Sequence, residues 1–141
     1  MPQRVYDPVR LRYVAATNEE MVRQALLRKM LGDLAFPRGL IAVEKELGEH
    51  GRRFDIVCYG CHFHPLHELY PLLLVECKAE DATDAAREQA LGYNATIGAP
   101  FLCVAGQTQI HTLWLNADKI GHVPFLPAYR DLLEMAKKRY S

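Results

Sequence analysis

The sequence predicts an α/β fold in which helices pack on a mixed sheet, and three observations carry that prediction. Five short runs, "LIAVEKEL", "RRFDIVCY", "YPLLLVECK", "PFLCVAG" and "IHTLWL", are apolar or alternate apolar with polar residues. Two longer runs, "TNEEMVRQALLRKMLG" and "DAAREQALGYNATIG", show helical spacing and start at capping residues. The two kinds of segment are interleaved, giving the order α-β-β-β-α-β-β-α once the tail is included.

Taken in order, the opening stretch to about Ala16 is extended, with Pro2 and Pro8 opposing helix. The first helix has Thr17 as N-cap, Glu20 three residues later and Gly32 as the C′ residue. Met21, Val22, Ala25, Leu26 and Met30 form its apolar stripe. "LIAVEKEL" and "RRFDIVCY" pair as a hairpin across the turn signal "GEHG". A ten-residue loop, "GCHFHPLHEL", leads to the strand Leu72–Val75 and its polar continuation Glu76-Cys77-Lys78. Asp81 or Thr83 caps the second helix. "PFLCVAG" is a strand buried on both faces, "GQTQ" turns it into "IHTLWL", and "PAYRDLLEMAKKRY" forms a terminal helix with a basic end. The expected organisation is a single domain over residues 1–141, its core spanning about 17–116 and its last helix about 127–139.

Composition narrows the classes of function. A chain of 141 residues with 50% hydrophobic and 24% charged residues can bury a core unaided. No apolar run approaches a membrane span, and the start lacks the apolar region of a signal peptide, so a cytoplasmic location is expected. Cys58, Cys61, Cys77 and Cys103 are then reduced. Zero net charge argues against a protein that coats nucleic acid through non-specific phosphate neutralisation. It leaves room for a local basic groove, since Arg4, Arg10, Arg12, Arg23, Arg28, Arg38, Arg52 and Arg53 all fall in the first half.

The chemistry concentrates at one sheet end. Residues two apart on a strand share a face, so Leu72, Leu74, Glu76 and Lys78 form one row and Leu73, Val75 and Cys77 the other. On the preceding strand Arg53, Asp55 and Val57 share a face, opposite Phe54, Ile56 and Cys58. Pairing the two strands brings Asp55 beside Glu76, a hard-oxygen pair suited to Mg²⁺ or Mn²⁺. Lys78 can position water there or stabilise charge on a phosphate oxygen. Gln89 and Tyr93, four apart on the second helix, can sit over the same end, and Glu20 of the first helix can add an acid.

Asp55, the Glu76-Cys77-Lys78 triplet and Gln89-x-x-x-Tyr93, in this order on these elements, resemble a PD-(D/E)xK nuclease core. More narrowly, "NEEMVRQALL", "LIAVEKEL", "RFDIVCY", "PLLLVECKA" and "QALGYNATIGAPFLCVAG" resemble the N-terminal nuclease domain of type I restriction enzyme R subunits, over residues 4–116. The resemblance implies a restriction-endonuclease-like α-β-β-β-α-β core and hydrolysis of phosphodiester bonds in DNA. It implies that Asp55, Glu76 and the Cys77 carbonyl ligate Mg²⁺ or Mn²⁺ and that Lys78 positions the attacking water. Gln89 and Tyr93 would orient the lysine or contact phosphate, and Glu20, or the adjacent Glu19, would assist. The implied partners are DNA, a second copy of the chain, or separately encoded restriction or helicase subunits. Such R subunits carry an ATP-driven motor after the nuclease domain, so translocation is not expected of this chain. The sequence departs from the pattern in having Phe54 before Asp55 and a long loop between the second and third strands.

Each residue also has a structural alternative. Thr17-x-x-Glu20 fits a capping box, Asp55 can pair with Arg52 or Arg53, and Glu76 with Lys78 can form a solvated ion pair. Gln89 can be an exposed helical side chain and Tyr93 a core aromatic with a wet hydroxyl. Cys61, His62, His64 and His67 form a loop that could ligate zinc with Cys58, although their spacing matches no standard finger. A catalytically silent module that binds DNA or a protein is the alternative function.

Overall fold

In a computed structural model, described over residues 3–49, 51–81, 83–116 and 119–140, a six-stranded mixed sheet carries three helices. Pro2 and His50, the latter within the expected turn, lie outside the described residues. The chain begins with an antiparallel hairpin, β1 (Arg4–Asp7) and β2 (Arg12–Ala15). Helix α1 (Asn18–Leu31) follows, and the hydroxyl of Thr17 accepts the Glu20 N–H at its start, at 3.1 Å. Gly32 closes the helix at φ −91°, outside the left-handed region expected of a C′ glycine. It is small there because a Cβ would lie 3.0 Å from the Arg28 carbonyl oxygen.

Strands β3 (Ile41–Leu47), β4 (Arg52–Cys61) and β5 (Leu69–Cys77) run antiparallel in that order. Helix α2 (Asp84–Asn94) then crosses to β6 (Phe101–Ala105), which pairs parallel to β5. Strands β7 (Ile110–Asn116) and β8 (Lys119–Val123) extend the sheet antiparallel, and α3 (Tyr129–Arg139) ends it. The hairpin β1–β2 and the edge strand β8 add to the expected elements. Strands β4 and β5 also run further than expected, so the loop between them shrinks to residues 62–68, closed by the His62 N–H donating to the Glu68 carbonyl at 2.7 Å.

Two apolar layers sandwich the sheet. Leu26, Leu27 and Met30 of α1 and Leu132 and Ala136 of α3 pack with Ile56, Val75, Phe101 and Cys103 on one face. On the other, Ala90 and Leu91 of α2 pack with Val57, Leu74, Leu102 and Val104. Every residue of β6 is buried, and its side chains alternate between the two layers as its uninterrupted apolar run requires.

Three departures from simple periodicity shape the site. The α1 stripe is not Met21, Val22, Ala25, Leu26 and Met30: Met21 and Ala25 are exposed, while Glu20, Arg23 and Gln24 are buried beside Leu26, Leu27 and Met30. The helix buries an ion-paired face along with its apolar one. In β5, Leu72 joins Leu73 in the α1–α3 layer instead of Leu74, because the register shifts between Cys58 and Tyr59 and leaves Leu72 unmatched. In β4 the alternation slips at Asp55. Phe54 packs with Val57 in the α2 layer, while Ile56 and Cys58 pack in the other, so the expected trio of Phe54, Ile56 and Cys58 is split. The pairs Val43–Ile56 and Lys45–Phe54 bracket Glu44 and Asp55, and Glu44 takes the left-handed φ of 54°. An irregularity of this kind re-aims a side chain out of the ladder.

Candidate active site

Asp55 leaves the β4 ladder at that irregularity and turns to the end of β5. Its Oδ2 accepts the backbone N–H of Cys77 at 2.7 Å, and its Oδ1 lies 3.4 Å from Nη1 of Arg23. Neither Arg52 nor Arg53 is its ion partner: Arg53 pairs with Glu46 at 3.1 Å, and the Arg52 guanidinium lies 3.5 Å from the centre of the Tyr93 ring. The neighbouring acid is Glu76, which pairs with Val104 of β6 and is therefore on the α2 face. It is only 8% exposed, and its Oε1 is buried without a hydrogen-bond partner among the described residues.

These surroundings set the charge state of Glu76. Burial and then the Asp55 carboxylate push its pKa up to about 7, while Lys78 and Arg52 pull it down. A carboxyl that burial and a second acid hold protonated would release that proton to solvent on becoming a ligand to a divalent cation. The donor set is hard oxygen throughout, as Mg²⁺ or Mn²⁺ requires, and the orphaned Oε1 is an acceptor with nothing yet to accept. Those features fit a divalent cation held by Asp55 and Glu76. The Cys77 thiol lies in the apolar layer and burial raises its pKa, so it is core, as its place on the opposite row implied.

Glu20 is engaged elsewhere. Its Oε1 accepts from Arg10 Nη2 at 2.6 Å and Arg23 Nη2 at 2.7 Å, and its Oε2 from Arg23 Nε at 2.8 Å and Gln24 Nε2 at 3.2 Å. Burial opposes its charge, but these bonds prevail and lower its pKa to about 2. Arg10 in turn meets Asp7, which also accepts the N–H groups of Val9 and Arg10 and the Gln24 amide. Glu20 is thus linked to Asp55 through Arg23, the residue between them. Glu19 is exposed in the first turn of α1.

Tyr93 is half-buried against the α2 layer under the Arg52 guanidinium, and Gln89, one turn earlier, is exposed. Lys78 is half-buried, with its backbone N–H donating to the Ala105 carbonyl at 2.8 Å. The structure therefore brings Asp55, Glu76, Lys78 and the Arg52–Tyr93 stack to one sheet end, sets Glu20 behind Arg23, and leaves Gln89 on the outer helix surface. Sequence reasoning counted Arg23 and Arg52 toward a basic groove, and Arg52 as a possible partner of Asp55, but did not link Arg23 to Asp55 or Arg52 to Tyr93. A signal for Arg23 existed: positions 20, 23, 24 and 27 repeat at helical spacing and are all buried.

Zinc binding by the histidine loop finds no support. His64 and His67 stack on Tyr70 with ring centres 4.2 and 5.1 Å away, and Nδ1 of His64 accepts the Leu66 N–H. Among the described residues no three His, Cys, Asp or Glu side chains converge on a metal position.

The mixed sheet, its flanking helices and the paired acids are compatible with a nuclease-like α/β protein. A family model described as the N terminus of type I restriction enzyme R protein (HSDR_N) matches residues 18–127, and the chain belongs to that family. Comparison with curated proteins and with solved structures gives no match. No helix among the described residues is long and apolar enough to cross a membrane.

Proposed function

We propose that this chain is a metal-dependent DNA nuclease domain, a reading carried by the orphaned, buried Glu76 Oε1 beside Asp55 with Lys78 two residues further along. Asp55, Glu76 and the Cys77 carbonyl would hold Mg²⁺ or Mn²⁺. Such an ion supplies Lewis acidity and charge neutralisation at a phosphodiester. Glu76, its proton released to solvent, would be an anionic ligand, and Asp55 keeps its carboxylate aligned through the Cys77 N–H. Lys78 orients water and offsets charge developing on the phosphate oxygens. Arg52, stacked on Tyr93, meets the substrate backbone, and Gln89 meets it one helical turn away. Arg23 sets the orientation of Asp55, with Glu20 as its anchor.

The family supports DNA and other restriction subunits as partners. A second copy of the chain would supply the second cut of a duplex. We assign the domain to residues 1–141 and to the cytoplasm. Zero net charge favours one other reading, a module that keeps the fold and binds without cutting. The test is cleavage of plasmid and linear DNA with Mg²⁺, Mn²⁺ or EDTA. Activity that needs the metal and disappears in folded Glu76→Ala and Lys78→Ala proteins is expected. Undiminished activity in both variants, or none in the unmodified protein, refutes the nuclease reading.

A further inference from the structure

The same sheet face carries a second cluster. Glu76 pairs with Val104 and Val104 with His111, so His111 lies on the row of Glu76 two strands away, about 10 Å at ordinary strand spacing. His122 on β8 is opposite Leu113, diagonal to His111. The two imidazoles approach with His111 Nδ1 2.7 Å from His122 Nε2, their ring centres 4.9 Å apart.

We propose that His111 and His122 form a two-imidazole chelate for a borderline-soft divalent transition metal such as Zn²⁺ or Ni²⁺, separate from the carboxylate pair. One tautomer suits it: with the His111 ring proton on Nε2, which lies 3.3 Å from the Gln109 side-chain oxygen, the Nδ1 lone pair faces His122. Without metal, His122 Nε2–H donates into that lone pair. Moving the His122 proton to its own Nδ1 leaves two lone pairs facing one another, with no net loss of protons. Metal–nitrogen bonds of about 2.0–2.1 Å on a tetrahedral ion set the nitrogens about 3.3 Å apart, so the rings must part by about 0.6 Å and each must swing by about 35° to aim its lone pair at the ion. Burial, Arg87 and His122 all lower the His111 pKa, with Asp81 opposing them, and the net result keeps it neutral at pH 7, as a ligand must be. Imidazole pairs select ions softer than the Mg²⁺ that suits Asp55 and Glu76. With two protein ligands the remaining coordination positions are open to water or a substrate oxygen.

Calorimetric titration of the whole protein with Ni²⁺ and with Zn²⁺ tests this, run on wild type, His122→Ala, Gln109→Ala and Glu76→Gln. His122 is exposed, so its truncation leaves the fold intact. Binding is expected in wild type and Glu76→Gln, lost in His122→Ala, and about tenfold weaker in Gln109→Ala. Absence of binding in wild type overturns the assignment, as does equal affinity in His122→Ala. Loss in Glu76→Gln alone assigns the ion to the carboxylates and also overturns it. None of these outcomes depends on whether the protein cuts DNA.

Discussion

Replacing Glu76 by glutamine should flatten the pH dependence of stability on the alkaline side. The folded chain holds the Glu76 proton up to about pH 7, against an ordinary value of 4.5. A carboxyl whose folded pKa is raised binds its proton more tightly in the folded state. Its full contribution to stability is present below about pH 4.5, declines as the pH rises, and is lost above about 7. At 1.36 kcal/mol per pH unit the interval is worth about 3 kcal/mol, a large share of the 5–15 kcal/mol that typically separates folded from unfolded. Urea unfolding at pH 5 and pH 8 in EDTA reads it directly. Wild type should lose about 2.5 kcal/mol between the two pH values through this residue, and Glu76→Gln, which has no proton to lose there, should lose correspondingly less. Mg²⁺ at about a hundredfold its dissociation constant should restore roughly 2.7 kcal/mol to wild type at pH 8. Equal slopes in wild type and Glu76→Gln would refute the claim that burial beside Asp55 holds this carboxyl neutral.

Other outcomes follow from the same geometry. Glu20, lowered to about 2, contributes stability that is present above pH 4.5 and lost as the pH falls toward 2, so Glu20→Gln should make acid unfolding shallower. Glu20→Ala strands Arg10 and Arg23 without their shared carboxylate and should cost about 3–5 kcal/mol in urea unfolding at pH 7. Lys78→Ala should leave the melting temperature near that of wild type while cutting the cleavage rate by about a hundredfold or more, measured at saturating metal. At Gly121 an added Cβ would lie 2.2 Å from the Trp114 indole, so Gly121→Ala should destabilise by about 1–3 kcal/mol in thermal melts.

Much of the architecture was legible because its residues obey one rule at a time. Strand β6 is apolar at every position and lies between two layers; α2 begins at Thr83, whose hydroxyl accepts the Ala86 N–H. The adjacency of Asp55 and Glu76 follows from pairing consecutive strands, since Ile56 meets Val75. What escaped has specific causes. The opening stretch is extended as expected, but its pairing as a hairpin was hidden, because "RVYD" and "RYVA" are short and charged and are held to α1 through Asp7 and Arg10. Strand β8, "KIGHV", is an edge whose glycine makes room for Trp114 of the neighbouring strand. The slip at Asp55 is invisible to strict alternation; it lies opposite the left-handed Glu44 across the ladder. Arg23 was hidden by counting only apolar residues on α1, which buries an ion-paired face beside its apolar one.

The central claim, that Asp55 and Glu76 hold a divalent cation, is tested most directly by soaking crystals of the protein in Mn²⁺ and recording anomalous diffraction. A peak within bonding distance of Asp55 and of Glu76 Oε1, absent from Glu76→Gln crystals treated identically, is the expected result. Fully soaked crystals with no anomalous density between the two carboxylates, or with density there that survives Glu76→Gln, would contradict it.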